Sequence, residues 1–439
     1  MPTASRKVIN GWALYDWANS VYNLVITSTI FPAYFEAIAV DDRTISKTQV
    51  TFLGRTFENS ALYNYTIAAG LFIVALLSPI LSAIADYKGN KKSFMRFFLT
   101  LGSLGCSGLF LFERDALGWG LACMVLACIG FWASWVFYNS YLPEIAAPED
   151  RDRVSARGYA FGYVGSVLLQ LVCFVFVFNP GLIGGTDDTT IQYRICFLLV
   201  GIWWFGFGSL ALARFPASKP AGQGDLKHHL LAKGYNELKK VWHQLKGQHK
   251  LRRFLSAFFC YNMGVQTVFL VATIYGKSEL EIPTTNLIAA ILIIQLIAIP
   301  GAYTISWVSS KLGNIRTLML LVAMWSVGCI VGYNLPVGGV NEFYGLAIII
   351  GFIMGGIQSL SRSTYSKLMP ATSDTASYFS FYDVTEKIAT VIGMFGFGYI
   401  TELTGSQRNS VLALMVFFVI GFFLLIYTDR IKSESHATV

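Results

Sequence analysis

From Ala61 to Ile84 the chain carries no charged residue. That run is long enough to cross a bilayer core as a helix, which takes roughly 20 mostly apolar residues. Twelve runs of this kind follow one another between residues 12 and 428. Lipid offers the backbone no hydrogen bonds, so a spanning segment must be a helix or a strand of a closed barrel. Barrel strands would alternate over about ten residues, and these runs are continuous. The sequence therefore predicts an all-α polytopic membrane protein with twelve transmembrane helices. Hydrophobic residues make up 54% of the chain and charged residues 13%, where a soluble domain carries about a quarter charged. The first run, 12 to 38, and the eleventh, 378 to 401, are the most polar.

The chain also repeats itself. Residues 82 to 92 read S-A-I-A-D-Y-K-G-N-K-K and residues 306 to 316 read S-W-V-S-S-K-L-G-N-I-R. Ser82 pairs with Ser306, Gly89 with Gly313, Asn90 with Asn314 and Lys92 with Arg316, all at one offset. Each copy is a short basic turn between two apolar runs. Tyr15 and Asp16 recur as Tyr261 and Asn262, and Pro143 recurs as Pro370. The expected organisation is two pseudo-symmetric six-helix halves, 1–213 and 254–439, joined by a linker over 214–253. Repeats with a site between them are a means of alternating access.

Lys and Arg concentrate on the side that holds both termini and the linker, which makes that side cytoplasmic. The expectation is a multi-pass protein of a bacterial inner membrane. The linker's excess of Lys and Arg over Asp225 and Glu237 accounts for the net charge of +8, so the rest of the chain offers nothing to a nucleic acid. Within the linker, Leu226, Leu230, Leu238, Val241, Trp242 and Leu245 recur at helical spacing, with Lys227, Lys233, Lys239, Lys240 and Lys246 on other faces. This pattern predicts a basic amphipathic helix against the anionic inner leaflet. All five histidines lie in the linker or the tail. His228 and His229 are adjacent, so on a helix they point apart and read as a solvated pair rather than metal ligands. The seven cysteines fall inside apolar runs, where a thiol behaves as a small apolar group. No metal or cofactor is expected.

The cores of the third, sixth, ninth and twelfth runs lack Asp, Glu, Lys, Arg, His, Asn and Gln, and should face lipid. Other runs carry polar stripes, whose cost in lipid turns them toward the bundle interior. Asp16, Asn19, Asn23 and Thr27 fall at i, i+3, i+7 and i+11, on one helical face. Asn262 and Gln266 repeat the pattern in the seventh run. Trp135, Tyr138 and Asn139 share a face in the fourth, and Gln358 and Arg362 stand one turn apart in the tenth. Such stripes either line a cavity or hydrogen-bond helix to helix. Arg362, near the membrane boundary, either snorkels or meets an anionic group. In the fifth run Gly158 and Gly162 suit close helix packing, beside Tyr159, Tyr163, Ser166 and Gln170. In the eleventh, Asp383 and Lys387 can pair, leaving Glu386 to meet something else. That cluster is either a local ion pair or a gating and coupling network. With no histidine in any run, proton coupling would need a carboxylate, Asp16 first and Glu386 second.

On the stretch from Ser82 to Lys92, with Asp86, Gly89 and Lys92 at its key positions, the chain resembles the major facilitator superfamily over its whole length. Four further motifs, W-A-L-Y-D-W-A-N-S at 12 to 20, F-Y-N-S-Y-L-P-E-I-A at 137 to 146, Y-N-M-G-V-Q-T at 261 to 267 and G-G-I-Q-S-L-S-R-S at 355 to 363, are similar to the bacterial relatives of the fungal vacuolar amino-acid effluxers of autophagy. The resemblance implies helices one, four, seven and ten around a cavity, and amino-acid export. The function expected is that of a secondary transporter for a small polar solute. Asp16, Asn19, Asn23, Asn139, Asn262, Gln266, Gln358 and Arg362 are the residues expected around the solute, with Asp86, Asp383, Glu386 and Lys387 in gating or coupling. No P-loop occurs, so energy would come from a gradient, of protons or another ion. A lipid or lysolipid flippase on the same fold and a non-transporting membrane sensor are the alternatives. An enzyme is not expected, since the runs hold no histidine.

Overall fold

The structure, a computed structural model, describes residues 2–39, 49–183, 190–217 and 230–431. The first span starts as α1 (Arg6–Val21), passes through a π-helix at Tyr22–Ile30 and ends as α2 (Phe31–Ile38). A two-stranded antiparallel hairpin, β1 (Gln49–Phe52) and β2 (Arg55–Glu58), leads into α3 (Asn59–Lys88). Then come α4 (Lys91–Gly108), α5 (Leu117–Ser140), the short α6 (Leu142–Ile145), α7 (Arg151–Phe178) and α8 (Ile191–Ala213). The linker holds α9 (Leu230–Gly247). The remainder is α10 (His249–Ser278), α11 (Thr284–Leu312), α12 (Asn314–Tyr333), α13 (Val340–Leu368), α14 (Thr375–Thr404) and α15 (Gln407–Asp429).

Among the described residues ten helices are long and apolar enough to cross a membrane. The other two of the twelve expected spans are the π-interrupted first and α14, the same two that stood out as polar. At 30 residues α14 is about 45 Å long, ample for a crossing; Asp383, Glu386 and Lys387 lower its hydropathy, not its length.

The chain groups into two compact units. One comprises Ala4–Tyr141 and Phe161–Gly234; the other comprises Met1–Thr3, Leu142–Ala160 and Tyr235–Val439. They are called here the N-terminal and C-terminal units. The first turns of α7 thus pack with the C-terminal unit. Inside the N-terminal unit, α1 packs on α8, α3 on α5, and α4 on both α5 and α8. Inside the C-terminal unit, α10 packs on α15, α11 on α13, and α12 on both α13 and α15. Span for span this is the same pairing, so the sequence repeat is a repeat of tertiary contacts.

The turn motif shows why its glycines recur. Gly89 ends α3 with φ 62° and Gly313 ends α11 with φ 86°. Both angles disfavour a side chain, and each lets the next helix start within two residues. Close approach is the other demand: a Cβ on Gly351 or Gly355 of α13 would lie 2.7 or 2.1 Å from a carbonyl oxygen of α11. The spans expected to face lipid expose apolar side chains, among them Phe97 and Leu104 on α4, Ile202 and Phe205 on α8, Val327 on α12 and Phe423 on α15.

The linker helix differs from its expected setting. Val241 and Leu245, assigned by periodicity to a membrane-facing stripe, are buried in protein. Trp242 stacks on Phe381 at 5.8 Å, Lys240 pairs with Asp374 at 3.2 Å, and Tyr378 donates to Gln244 at 3.2 Å. These contacts dock α9 on the first turns of α14, because protein is at hand to cover the apolar stripe. Trp242 stays half exposed and Lys239 and Lys246 stay on the outside. Leu226, Lys227, His228 and His229 lie outside the described residues, as do the side chains of Leu230, Lys233 and Leu238.

Candidate functional site

In the N-terminal unit the first and fourth spans are tied together through Asp16. Its carboxylate accepts from Tyr138 Oη of α5 at 3.2 Å and from Ser20 Oγ at 2.7 Å, and Gly162 of α7 packs against it. Ser134 Oγ of α5 lies 3.4 Å from Asn19 Oδ1, while Asn19 Nδ2 is buried without a partner. Asn139 is buried near the end of α5. Asn23 lies in the π segment, where the Ser28 hydroxyl donates to the Asn23 carbonyl and that of Thr29 to Leu24, each five residues back. π-Helical turns gather at functional sites, and no sequence period announces this one.

Asp86 stands apart from these residues, at the α3–α4 turn. It pairs with the first residue of α4: Lys91 Nζ is 3.1 Å away, with both side chains fully buried. Lys91 is therefore a partner of Asp86 and not a surface charge. Lys92 donates to the Phe215 carbonyl at 3.2 Å.

The C-terminal unit holds a narrow, open polar cleft. It is lined by Asn262, Gln266 and Tyr261 of α10, Gln358 and Ser361 of α13, and Glu386 and Tyr382 of α14, with Phe258 and Tyr159 closing it. Asn262, Gln266, Gln358 and Glu386, expected from three separate stripes, are thus brought together. Gln266 donates its amide hydrogen to Glu386, which answers what Glu386 meets; Asp383 and Lys387, one turn apart, pair with each other as expected. Asn262 Nδ2 is buried with no acceptor, a polar group left for something else to satisfy. Tyr261 exchanges a hydrogen bond with Ser361 Oγ at 2.7 Å and crosses Phe258 edge to face, and Phe258 stacks on Tyr382 at 4.3 Å.

Arg362 neither snorkels nor lines the cavity. It is fully buried; its Nε donates to Ser155 Oγ at 2.9 Å and an Nη to the Ser155 carbonyl at 2.8 Å, with the guanidinium 4.2 Å above the ring of Tyr159. Both partners are on the first turns of α7. Ser155 Oγ donates in turn to the Ser359 carbonyl. Two turns further along α13 the same stretch of α7 is gripped again. Asp152 accepts from Lys367 at 2.6 Å, from Asn314 Nδ2 at 2.8 Å and from Ser309 Oγ at 3.0 Å, while Arg151 donates to the Ser366 carbonyl at 2.7 Å. The second turn motif, which has Ser310 where the first has Asp86, therefore obtains a carboxylate from α7.

Several of these residues escaped the sequence reading. Tyr382 carries no signal beyond aromaticity, Asp152 lies beyond an apolar run, and Tyr261 stood out only as the repeat of Tyr15. The cavity brings Tyr261 and Tyr382 together, and the second turn motif brings in Asp152.

Paired repeats of membrane-crossing helices, with a polar cleft inside the C-terminal unit, are the fold of a membrane transporter of the major facilitator kind. Solved structures agree on the fold: the human organic anion transporter MFSD10 (TETRAN) superposes with TM-score 0.71 at 13% identity over 96% of this chain and 99% of that one. The E. coli fucose:proton symporter FucP gives 0.68 at 15% over 97% and 98%. The MFS-type transporter YxiO of Bacillus subtilis is 28% identical over 97% of this chain and 95% of its own length. Autophagy-related protein 22-1 of Penicillium rubens is 24% identical over 99% and 92%. A family model described as vacuole effluxer Atg22 like matches residues 4–438. The chain belongs to that family.

Proposed function

We propose that this chain is a secondary active transporter that moves a small polar solute by alternating access, the halves 1–213 and 254–439 rocking about a site near the membrane midplane. The observation that carries the reading is the cavity on α10, α13 and α14, where Asn262, Gln266, Gln358 and Glu386 converge. Its amide, hydroxyl and carboxyl lining suits a small hydrogen-bonding solute better than the acyl chain of a lysolipid. Amino-acid export is supported by the effluxer family. Proton coupling is supported by the neighbours that are proton symporters. Glu386 faces the cavity with an amide partner, whereas Asp16 is held by Tyr138 and Ser20, so Glu386 becomes the first coupling candidate. Asp16, Asn19, Asn23 and Asn139 are the N-terminal unit's contribution to solute binding, and the Asp383–Lys387 and Asp86–Lys91 pairs act in gating. Both termini are cytoplasmic, and Lys239 and Lys246 face the anionic leaflet of an inner membrane.

Uptake of amino acids into proteoliposomes, with and without a pH gradient, tests this. Gradient-driven accumulation that Glu386→Gln abolishes while exchange persists supports it, because the neutral isostere mimics the protonated carboxylate. Accumulation unchanged in that variant removes Glu386 from coupling.

A further inference from the structure

The linker helix α9 has one apolar stripe and two surfaces able to cover it. In the structure the cover includes the start of α14: Trp242 stacks on Phe381, Tyr378 donates to Gln244, and Lys240 pairs with Asp374, the N-cap residue of α14. Val241 and Leu245 are buried. Lys239, His243 and Lys246, at i, i+4 and i+7, lie exposed on another face, and Trp242 is half exposed with the Lys246 ammonium 5.7 Å from its ring. An apolar stripe flanked by lysines is also what a leaflet of anionic headgroups binds.

The two covers differ at Lys240. Docked, it is spent on Asp374; on the leaflet it joins Lys239 and Lys246 at the headgroups. The apolar stripe is covered in both states, and the contacts with α14 do not depend on lipid charge. Anionic lipid therefore shifts the balance toward release by the contribution of one lysine near a charged surface, about fivefold. Release uncovers the first turns of α14 and takes Lys240 from Asp374, which is almost fully buried. Those turns connect inward: Tyr365 of α13 donates to the Tyr378 carbonyl at 2.6 Å, and its ring lies 4.9 Å from that of Tyr382, a residue of the cleft one turn before Glu386. We infer that α9 is a sensor of leaflet charge, drawn off α14 by anionic headgroups and, when docked, steadying the helix that carries Glu386. What the sensor controls rests on the transporter reading; the movement of α9 does not.

The test is hydrogen exchange of the full chain in nanodiscs of phosphatidylcholine and of phosphatidylcholine mixed with phosphatidylglycerol. Peptides covering 374–382 should exchange about fivefold faster in the mixed bilayer, and raised salt should bring that rate back toward the neutral one, since screening weakens the headgroup attraction. Lys240→Gln should remove the difference between the two bilayers. Equal exchange in both bilayers, or slower exchange in the anionic one, overturns the inference. The two-bilayer comparison uses the native chain, so a misfolded variant does not blur it. Lipid-dependent exchange without counterflow of any amino acid or small amine would sink the transporter reading and leave the sensor standing. Counterflow with exchange indifferent to lipid charge would do the reverse.

Discussion

Replacing Asp152 by Asn should loosen the first turns of α7 by an amount that the local geometry sets. The carboxylate accepts three hydrogen bonds, from Lys367 at 2.6 Å, Asn314 at 2.8 Å and Ser309 at 3.0 Å. Bonds to a charged group contribute about 1.5 to 3 kcal/mol each, but three to one carboxylate are not additive. Lys367 also keeps Asn314 Oδ1 at 3.1 Å and is 24% exposed, so water takes up part of its loss. Asn retains an acceptor for Ser309. The net effect is therefore about 2 to 3 kcal/mol on local opening, or roughly 30- to 150-fold, since each 1.4 kcal/mol is a factor of ten. Hydrogen exchange of peptides covering Ser155 to Ala160, in nanodiscs, reads this directly. Protection there should fall by that factor, with α12 unchanged. A loss below about threefold, or an equal loss throughout the C-terminal unit, would refute the assignment of Asp152 as the clamp on α7.

Asp86→Asn leaves Lys91 buried without its carboxylate and should cost about 3 kcal/mol or more, read as a lower unfolding midpoint in detergent; Asp86→Leu with Lys91→Met should recover most of it. Gly313, at φ 86° and ψ 152°, occupies a region nearly closed to other residues, so Gly313→Ala should lower the midpoint more than Gly89→Ala. Gly89→Asn should be nearly neutral, because φ 62° and ψ 34° is a left-handed conformation that Asn tolerates. Reporters fused after Arg430 and probes at Lys239 should both register on the cytoplasmic side; either one outside would overturn the topology.

What was legible in the sequence was what periodicity and backbone geometry write into it. Gly89 and Gly313 had to recur because both turns need positive φ, and the polar positions of α10, α13 and α14 stood out against apolar surroundings. The direction in which a polar group is used was not legible. Arg362 one turn after Gln358 suggested a cavity cation, yet its length carries the guanidinium to Ser155 on another helix, a choice that depends on where α7 lies. Lys91 and Lys92 read alike as basic residues of the turn, but one residue of helical rotation buries Lys91 on Asp86. The π segment of the first span has no sequence period of its own, since Ser28 and Thr29 stabilise it only once the chain is wound that way. Val241 and Leu245 had the spacing of a membrane-surface helix, and only the presence of α14 decided what covers them.

The central claim is that the cavity on α10, α13 and α14 is where a solute is carried across the membrane. Counterflow in proteoliposomes loaded with a panel of amino acids and small amines tests it most directly, with the purified chain and a Gln266→Ala, Glu386→Ala double variant that elutes as a monodisperse, folded protein. The expected result is saturable counterflow of at least one solute by the native chain, reduced tenfold or more in the variant. Counterflow no greater than that of protein-free liposomes across the whole panel, or equal in the native chain and the variant, would contradict it.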